Sequence, residues 1–201
     1  MNYQLKYRPF AEALYDALAE DAFYQTMEKS IADPAKQREL MLCYLDYSMV
    51  ESEQYGELYI PQEHQYGTSI WSKPISPELQ AQKSSEKKAF LENVMGEQSL
   101  QTYNSIVSHM SEMTDTVIKE DYWYLSIVGV LPAHQGKGLG PGLLKEVLEE
   151  TDRLGVVTYL ETYVPRNKSF YRRQGYQEVA IFLEPTTNAE YAVMVREPQT
   201  I

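Results

Sequence analysis

The sequence predicts an α/β (α+β) fold, with helices packed on a mixed β-sheet, and two observations carry that prediction. First, 43% of the 201 residues are hydrophobic, enough to bury a core. Second, the chain changes character near residue 120, with helix-like spacing before it and strands alternating with helices after it. The length suits one domain over 1–201, made of a helix-rich part (1–119) and a second part (120–201).

Helix signals dominate the first part of the chain. Apolar residues recur at three- and four-residue spacing, Asp33-Pro34 is typical of a helix start, and Gly96 separates two helical segments. A pair of short apolar pieces predicts a hairpin. The predicted elements are helices over Ala11–Glu20, Pro34–Val50, Glu78–Met95 and Gln98–Met113, and strands over Glu57–Ile60 and Tyr66–Trp71.

The second part alternates strand and helix patterns, with Gly155 and Gly175 as helix ends. This order predicts a mixed sheet with helices on it. The predicted elements are strands over Tyr122–Val130, Val156–Thr162, Tyr176–Leu183 and Tyr191–Arg196, and helices over Leu139–Leu154 and Asn167–Gln174.

Composition excludes several classes of function. The net charge of −11 argues against non-specific binding to nucleic acid or to anionic membranes, and no segment approaches the roughly 18 apolar residues of a membrane span. A single cysteine, Cys43, fits a reducing compartment, so we expect a soluble cytoplasmic protein. None of the three histidines has metal-ligand spacing, so we expect no metal site.

The turn between Leu131 and Leu144 carries the strongest chemical signal. It joins an apolar strand to an amphipathic helix, and four glycines lie within seven residues of it, at 136, 138, 140 and 142. Glycine allows backbone N–H groups to converge on an anion, and the following helix adds its positive end. The pattern favours a phosphate site around Lys137, although a plain tight turn would also use glycine.

Spacing excludes the two best-known nucleotide loops. A P-loop requires Ser or Thr after its Gly-Lys pair, where this chain has Gly138. A dinucleotide fingerprint requires a third glycine, and the three frames meet Pro141, Leu143 and Lys145 instead. Pro141 also has no N–H, so we expect donation from its neighbours, Gly136, Gly138, Leu139, Gly140 and Gly142.

Two signatures resemble those of the GNAT N-acetyltransferases. Gln135, Gly138 and Gly140 match the acetyl-CoA loop Gln/Arg-x-x-Gly-x-Gly/Ala. The segment from Asn167 through Tyr171 to Tyr176 is similar to the family's second signature, Asn-x-x-x-Tyr-x-x-x-Gly-Phe/Tyr. Residues 123–140 and 160–175 most resemble the puromycin N-acetyltransferase-like branch.

The resemblance implies a largely antiparallel central sheet, with a first strand near Tyr3–Tyr7 and a splay between the fourth and fifth strands. It implies acetyl-CoA as the acyl donor, with the pantetheine arm pairing with the strand that precedes the loop. The residues then expected to bind acetyl-CoA are Val128, Gly129, Val130, Gln135, Gly136, Lys137, Gly138, Leu139, Gly140, Gly142, Asn167 and Tyr171.

By the same resemblance Tyr171 is the general acid that protonates the departing thiolate, although a tyrosine there could also only pack a helix. Asn167 is expected to cap that helix. Glu161, at the end of a strand entering the cleft, is the leading base, acting directly, through water, or by orienting a cationic amine. His64 is a weaker candidate.

The predicted function is acetyl transfer from acetyl-CoA to an amine of a small molecule by direct attack, because no cysteine lies near either signature. The alternatives are a non-catalytic acyl-CoA-binding module, another acyl donor, and a protein amine as acceptor. A homodimer is left open. Residues 11–117 are expected to build the acceptor pocket, with Tyr55, Tyr59, Tyr66 and Trp71 as candidate lining or core residues.

Overall fold

The computed structural model describes residues 3–62, 65–119 and 121–199. Short 3₁₀ or π turns precede or follow several of its helices. The helices are α1 (Arg8–Ala17), α2 (Ala22–Lys29), α3 (Gln37–Tyr55), α4 (Pro77–Phe90), α5 (Glu97–Thr114), α6 (Lys145–Leu154) and α7 (Lys168–Arg173). The strands are β1 (Gly56–Tyr59), β2 (Gly67–Ser72), β3 (Trp123–Val130), β4 (Thr158–Thr162), β5 (Gln177–Glu184) and β6 (Ala189–Arg196).

The six strands form one sheet in the order β1-β2-β3-β4-β6-β5. Every neighbouring pair is antiparallel except β3 and β4, which run parallel in the middle of the sheet. A parallel pair requires a crossover connection, and α6 supplies it. The predicted fold class, a mixed and largely antiparallel sheet flanked by helices, is confirmed.

The sheet opens between β3 and β4. These strands pair at only three positions, from Trp123 opposite Thr158 to Leu125 opposite Leu160. Beyond Leu125, β3 continues for five more residues with β2 on one edge and, within the described ranges, no strand partner on the other. This is the splay expected between the fourth and fifth predicted strands.

A bulge in β3 lies where the splay begins. Leu125 and Ile127 pair with the consecutive residues Trp71 and Ile70 of β2, so Ser126 is an extra residue. A bulge reverses the side-chain alternation and increases the local twist. As a result Leu125 packs with α6 and α7, whereas Ile127 packs with α1 and α3.

Helices cover both faces of the sheet. One face carries α1 and α3 over the β2–β3 end, and α5 over β6. The other face carries α6 and α7 around the buried Trp71, Leu144 and Tyr176. Within the described ranges, no helix is both long enough and apolar enough to cross a membrane.

The structure corrects two predictions of the first part. The segment near Tyr3–Tyr7 is not a strand, because the Tyr3 hydroxyl (2.8 Å) and the Tyr7 N–H both donate to the buried carboxylate of Asp46 in α3. This anchoring holds the segment on a helix and away from the sheet. The sequence analysis also missed α2, an eight-residue helix whose short apolar pattern gave little periodic signal.

Two helix ends lie at the glycines that predicted them. Gly96 separates the segment ending at Met95 from α5 and has a φ of 96°, and Gly155 ends α6 with a φ of 68°. The helix predicted to begin at Leu139 starts instead as a 3₁₀ turn over Gly140–Leu143, and α6 proper begins at Lys145.

Candidate active site

The glycine-rich loop adopts a conformation that needs glycine at two positions. Gly136 has a φ of 71° and Gly138 a φ of 72°, both in the left-handed region that side chains disfavour. A short 3₁₀ turn, Pro132–His134, leads into the loop from β3, and another leads out of it toward α6. Left-handed residues alternating with others are the backbone pattern of an anion-binding nest.

Five successive N–H groups of this loop are available to a ligand. Among the residues that the structure describes, the N–H groups of Gly136–Gly140 have no protein acceptor. The N–H of Gly142 donates to the carbonyl of Leu139 at 3.1 Å, and Pro141 has none. The expectation that Gly142 also donates to a ligand is therefore not supported by this geometry.

The two polar side chains of the loop hold its shape. Gln135 Nε2 donates to the carbonyl of Val130 at 3.0 Å, and Lys137 Nζ donates to the carbonyl of Ala133 at 2.9 Å. Beneath the loop, the buried Ser69 hydroxyl of β2 donates to the carbonyl of Leu143 at 2.7 Å. These contacts stabilise the loop from its own residues and from the sheet without using the N–H groups of Gly136–Gly140.

The loop lies directly against the helix that carries the second signature. A Cβ added at Gly140 would meet the Phe170 ring at 2.9 Å, so a side chain there would push α7 away. A groove between α6 and α7 begins beside the loop. Its lining includes Pro141, Gly142, Lys145, Arg172, Arg173 and Gly175.

Val128, Gly129 and Val130 lie on the part of β3 beyond the splay. Each pairs with β2 on one side, while the edge toward β4 has no strand partner. A Cβ at Gly129 would meet the end of the Leu14 side chain of α1, which would have to shift. The glycine therefore allows α1 to pack closely on β3.

Tyr171 is buried, with 8% of its surface exposed, among Leu144, Tyr176 and other residues of the α6–α7 cluster. Within the described part of the chain its hydroxyl has no hydrogen-bond partner. Burial, with a smaller contribution from the charge of Asp21, raises the pKa of the phenol.

Asn167 lies at the start of α7, as predicted, but its side chain makes no capping hydrogen bond. Its own φ and ψ are helical, because a 3₁₀ turn over Pro165–Asn167 runs directly into α7. A residue with helical geometry cannot place its side chain over the first free N–H groups in the usual way. The predicted capping role is therefore wrong.

Glu161 lies one residue beyond the last β3–β4 pair. Its Oε1 accepts from the Thr114 hydroxyl at the end of α5, and its Oε2 accepts from the Tyr124 hydroxyl at 3.0 Å. Burial raises the pKa of this carboxyl, and the two hydroxyl donors lower it in part. The carboxylate is held in place on the face that α5 covers.

Asp21 was missed by sequence reasoning. It precedes α2, and its Oδ1 accepts from the Phe23 N–H at 2.9 Å, so the sequence signal was only that of a helix cap. Burial raises the pKa of this carboxyl to about 6. Four partly buried tyrosines lie near the two carboxylates, Tyr24 and Tyr163 near Asp21, and Tyr124 and Tyr159 near Glu161.

The structure gives different positions to the aromatic residues that the sequence offered as lining of the acceptor pocket or as core. Trp71 is fully buried in the core, Tyr55 donates to Glu86 at 2.9 Å, and Tyr66 lies against Gly142 beside the loop. His64 lies outside the described residues. Within those residues no group of three or more His, Cys, Asp or Glu could hold a metal ion.

The sequence is similar to those of known acetyltransferases. Residues 104–178 match the model of the acetyltransferase (GNAT) domain. An uncharacterised N-acetyltransferase of Schizosaccharomyces pombe is 30% identical over 110 residues, covering 52% of this chain and 44% of that protein. The match thus spans less than half the length of this curated relative.

Solved structures share the fold at low identity. A Corynebacterium glutamicum structure described as histone acetyltransferase HPA2 and related acetyltransferase has a TM-score of 0.61 at 16% identity, over 100% of this chain and 95% of that one. The Drosophila melanogaster polyamine N-acetyltransferase, which forms N-acetylagmatine, has a TM-score of 0.54 at 14% identity, over 93% of this chain and 94% of that one. These structures show that the chain has the GNAT fold, and residues 104–178 are similar to the acetyltransferase (GNAT) domain.

Proposed function

We propose that the protein is an N-acetyltransferase that moves the acetyl group of acetyl-CoA to an amine of a small molecule by direct attack. The observation that carries this proposal is that two neighbouring sets of polar groups lack hydrogen-bond partners in the described chain. Five N–H groups of the Gly136–Gly140 loop have no acceptor in the described chain, and the hydroxyl of nearby Tyr171 has no partner. Phe170, next to Tyr171, packs against Gly140 and joins the two.

The donor side fits coenzyme A in three respects. The loop N–H groups suit a pyrophosphate, because converging amides bind anions without a net positive charge. Along the adjoining groove, Lys145 and Arg196 pair with Glu149 and Asp152, which leaves Arg173 and Arg172 (itself 3.8 Å from Glu178) as its positive charge. The free edge of Val128–Val130 suits the pantetheine amides, as an added strand would.

The acid step rests on Tyr171. A phenol whose pKa is raised by burial keeps its proton at neutral pH, which a general acid requires. The acceptor nitrogen forms a bond to the thioester carbon, the carbon–sulfur bond breaks, and the thiolate takes the Tyr171 proton. An N–H of Val128–Val130 at the thioester oxygen would stabilise the developing charge by roughly 3–4 kcal/mol.

The acceptor side is acidic. Glu161 is proposed to serve the amine, either as its base or as the anchor of a cationic group. Both of its oxygens already accept from a hydroxyl, which fixes the carboxylate while leaving lone pairs free. The Drosophila relative in fold acts on a cationic amine, which agrees with this side of the proposal.

Calorimetry with acetyl-CoA followed by free-thiol assays over an amine panel tests the proposal. We expect binding of acetyl-CoA and amine-dependent thiol release. Binding without release for any small amine would favour the alternative of a non-catalytic acyl-CoA-binding module, and release only with peptides would favour a protein amine. Absence of acetyl-CoA binding would overturn the proposal.

Several finer predictions from the sequence stay predictions. They are the likeness to the puromycin N-acetyltransferase-like branch, the preference for acetyl over other acyl donors, the cytoplasmic location and the homodimer. None of them is needed for the chemistry proposed above.

A further inference from the structure

Glu161 and Tyr171 lie on opposite faces of the sheet. On β4, Leu160 packs with Tyr171 in the α6–α7 cluster. The next residue, Glu161, accepts from the hydroxyl of Thr114 in α5, which covers the other face. Tyr159 packs against the cluster under α5 as well, as the alternation of side chains along a strand requires. The carboxylate is therefore on the far side of the sheet from the proposed acid.

The opening between β3 and β4 connects the two faces. The strands stop pairing after Leu125 and Leu160, and Glu161 is the next residue of β4. A substrate that lies in this opening can place its reacting amine toward the Tyr171 face and its other end toward the α5 face. The carboxylate then contacts a part of the substrate other than the nitrogen that is acetylated.

The Glu161 carboxylate is a partly buried charge without a counter-ion. In the described part of the chain, no Lys, Arg or His side chain forms an ion pair with it. The charged residue nearest to it in sequence and space is Asp115, directly after Thr114, which adds negative charge. Because an uncompensated charge is costly to desolvate, this site favours a ligand that supplies a cation.

Two hydroxyl groups hold this carboxylate in place. The Thr114 hydroxyl donates to Oε1 of Glu161, and the Tyr124 hydroxyl donates to Oε2 at 3.0 Å. The Tyr124 ring is itself fixed by stacking on Tyr159, with ring centroids 4.7 Å apart and planes at 24°. These two tyrosines pair across β3 and β4. Hydrogen bonds to the charged form of a carboxyl favour that form, so the hydroxyls keep Glu161 an anion despite its burial.

We propose that Glu161 binds a second ammonium group of the acceptor, and that Thr114 and Tyr124 are the positioning residues that orient it for this contact. The inference rests on the proposed function and names its substrate class, a diamine that is acetylated at one nitrogen and keeps the other as a cation. No proton passes to Glu161 in this role. Its place on the α5 face favours the anchor over the base, because a base must reach the reacting nitrogen.

The titratable groups near Glu161 determine how the anchor depends on pH. They are the carboxyl of Asp115 after α5 and the phenols of Tyr124, Tyr159, Tyr163 and Tyr191. The pKa of each phenol is raised by burial, so the phenols stay neutral. Burial also raises the pKa of Glu161, and its two hydroxyl donors lower it in part. The preference for a diamine should therefore be lost on acidification, and loss of the Tyr124 hydroxyl should move that loss to higher pH.

The test compares 1,4-diaminobutane with butylamine, which lacks the second ammonium group. With acetyl-CoA, we expect wild type to prefer the diamine by roughly 3- to 10-fold in kcat/KM, above the factor that two equivalent amines give by number alone. The difference should lie in KM more than in kcat. E161Q should abolish the preference and keep turnover of butylamine, which also shows that the variant is folded.

The two stacked tyrosines give a matched pair of variants. Y124F and Y159F each lose one hydroxyl and keep the ring, but only the Tyr124 hydroxyl donates to Glu161. We expect Y124F to weaken the diamine preference by about threefold and to move its loss on acidification to higher pH. Y159F should keep the wild-type preference and pH profile. A purely structural role of Tyr124 would lower Tm without changing either.

The outcomes separate the failures. If wild type binds no acetyl-CoA in calorimetry, the proposed function fails. If wild type acetylates both amines without preferring the diamine, or if E161Q keeps the preference, the anchoring role of Glu161 is overturned. Loss of butylamine turnover in a folded E161Q would assign the glutamate to proton transfer and would also overturn it. Equal behaviour of Y124F and Y159F would overturn the positioning role of Tyr124.

Discussion

The two sides of the cleft are built by different means. On the proposed donor side, backbone N–H groups come from one continuous stretch, Gly136–Gly140, beside the strand edge Val128–Val130. On the proposed acceptor side, side chains come from separate elements, with Thr114 in α5, Tyr124 in β3 and Glu161 in β4. The difference teaches that a polyanion can be held by local geometry, whereas a cationic amine needs carboxylates that folding brings together and desolvates.

The largest expected effect comes from the residue shared by both sides. Tyr171→Phe keeps the ring packed but removes the acid, so we expect kcat to fall by roughly 10²–10⁴-fold with little change in acetyl-CoA affinity. Steady-state kinetics and calorimetry measure the two quantities. Tyr15→Phe is the control, because its hydroxyl donates to Glu28, at a distance from the signatures. Unchanged turnover in Tyr171→Phe would remove the tyrosine from the mechanism.

A glycine substitution tests the donor side alone. Gly138 (φ 72°) and Gly155 (φ 68°) both have left-handed geometry and open space where a Cβ would lie. Alanine at either position costs about 1–2 kcal/mol of stability from backbone strain. Only Gly138→Ala disturbs the loop N–H groups, so we expect its acetyl-CoA affinity to fall by about tenfold, or about 1.4 kcal/mol.

Equal acetyl-CoA affinities in Gly138→Ala and Gly155→Ala would contradict the role of the loop. Thermal unfolding of both variants checks that the strain is matched. Amine KM in Gly138→Ala should stay near that of wild type, because the acceptor side is made elsewhere.

Glu161→Gln tests the anchor on the acceptor side. Gln keeps one oxygen acceptor and replaces the other with an NH₂, which donates to the Thr114 or Tyr124 hydroxyl instead of accepting from it, so the charge is lost while both contacts can remain. We expect KM for 1,4-diaminobutane to rise by roughly 3- to 10-fold, with acetyl-CoA affinity unchanged, because a charge-assisted contact to the amine becomes a neutral one. A selective fall in kcat with constant KM would instead assign Glu161 to the proton transfer.

The smallest expected effect is on stability at Asp21. A carboxyl whose pKa is raised to about 6 from 3.8 destabilises the folded state when it is ionised, so the penalty is full above about pH 6 and vanishes below about pH 4. Asp21→Asn should therefore raise Tm by about 2–6 °C at pH 8 and leave it unchanged near pH 4.

This change in Tm has its own control in Asp33→Asn, which should leave Tm unchanged at both pH values. A lower Tm for Asp21→Asn at pH 8 would mean that the charge stabilises α2 more than its burial costs. That result would contradict the prediction that the ionised carboxyl destabilises the fold. The measurement requires neither ligand nor turnover.

Sequence reasoning succeeded where one stretch of chain contains all the parts. The spacing of Gln135, Gly138 and Gly140 predicted the loop, and two of the glycines in it do adopt left-handed φ values. The order of strands and helices after residue 120 predicted the sheet that is observed. It failed at Asn167, where a 3₁₀ turn merges with α7 and takes away the capping geometry.

Other features depended on contacts that no local pattern encodes. The bulge at Ser126 follows from the register of β3 against β2, and the fate of Tyr3–Tyr7 from a buried aspartate in α3. The aromatic residues of the hairpin looked suited to an acceptor pocket, yet Trp71 is core, and the tyrosines near the carboxylates come mainly from α2, β3 and β4.

By itself the sequence determined the mixed α/β fold and the glycine-dependent backbone of the Gly136–Gly140 loop, because backbone conformation and hydrophobic periodicity are set by neighbouring residues. Only the tertiary structure decided which carboxylates are desolvated. Asp21 and Asp33 are the same residue in the same helix-capping role, and one is half-buried while the other is exposed. Desolvation depends on what folds over a group, and that is not encoded at the position itself.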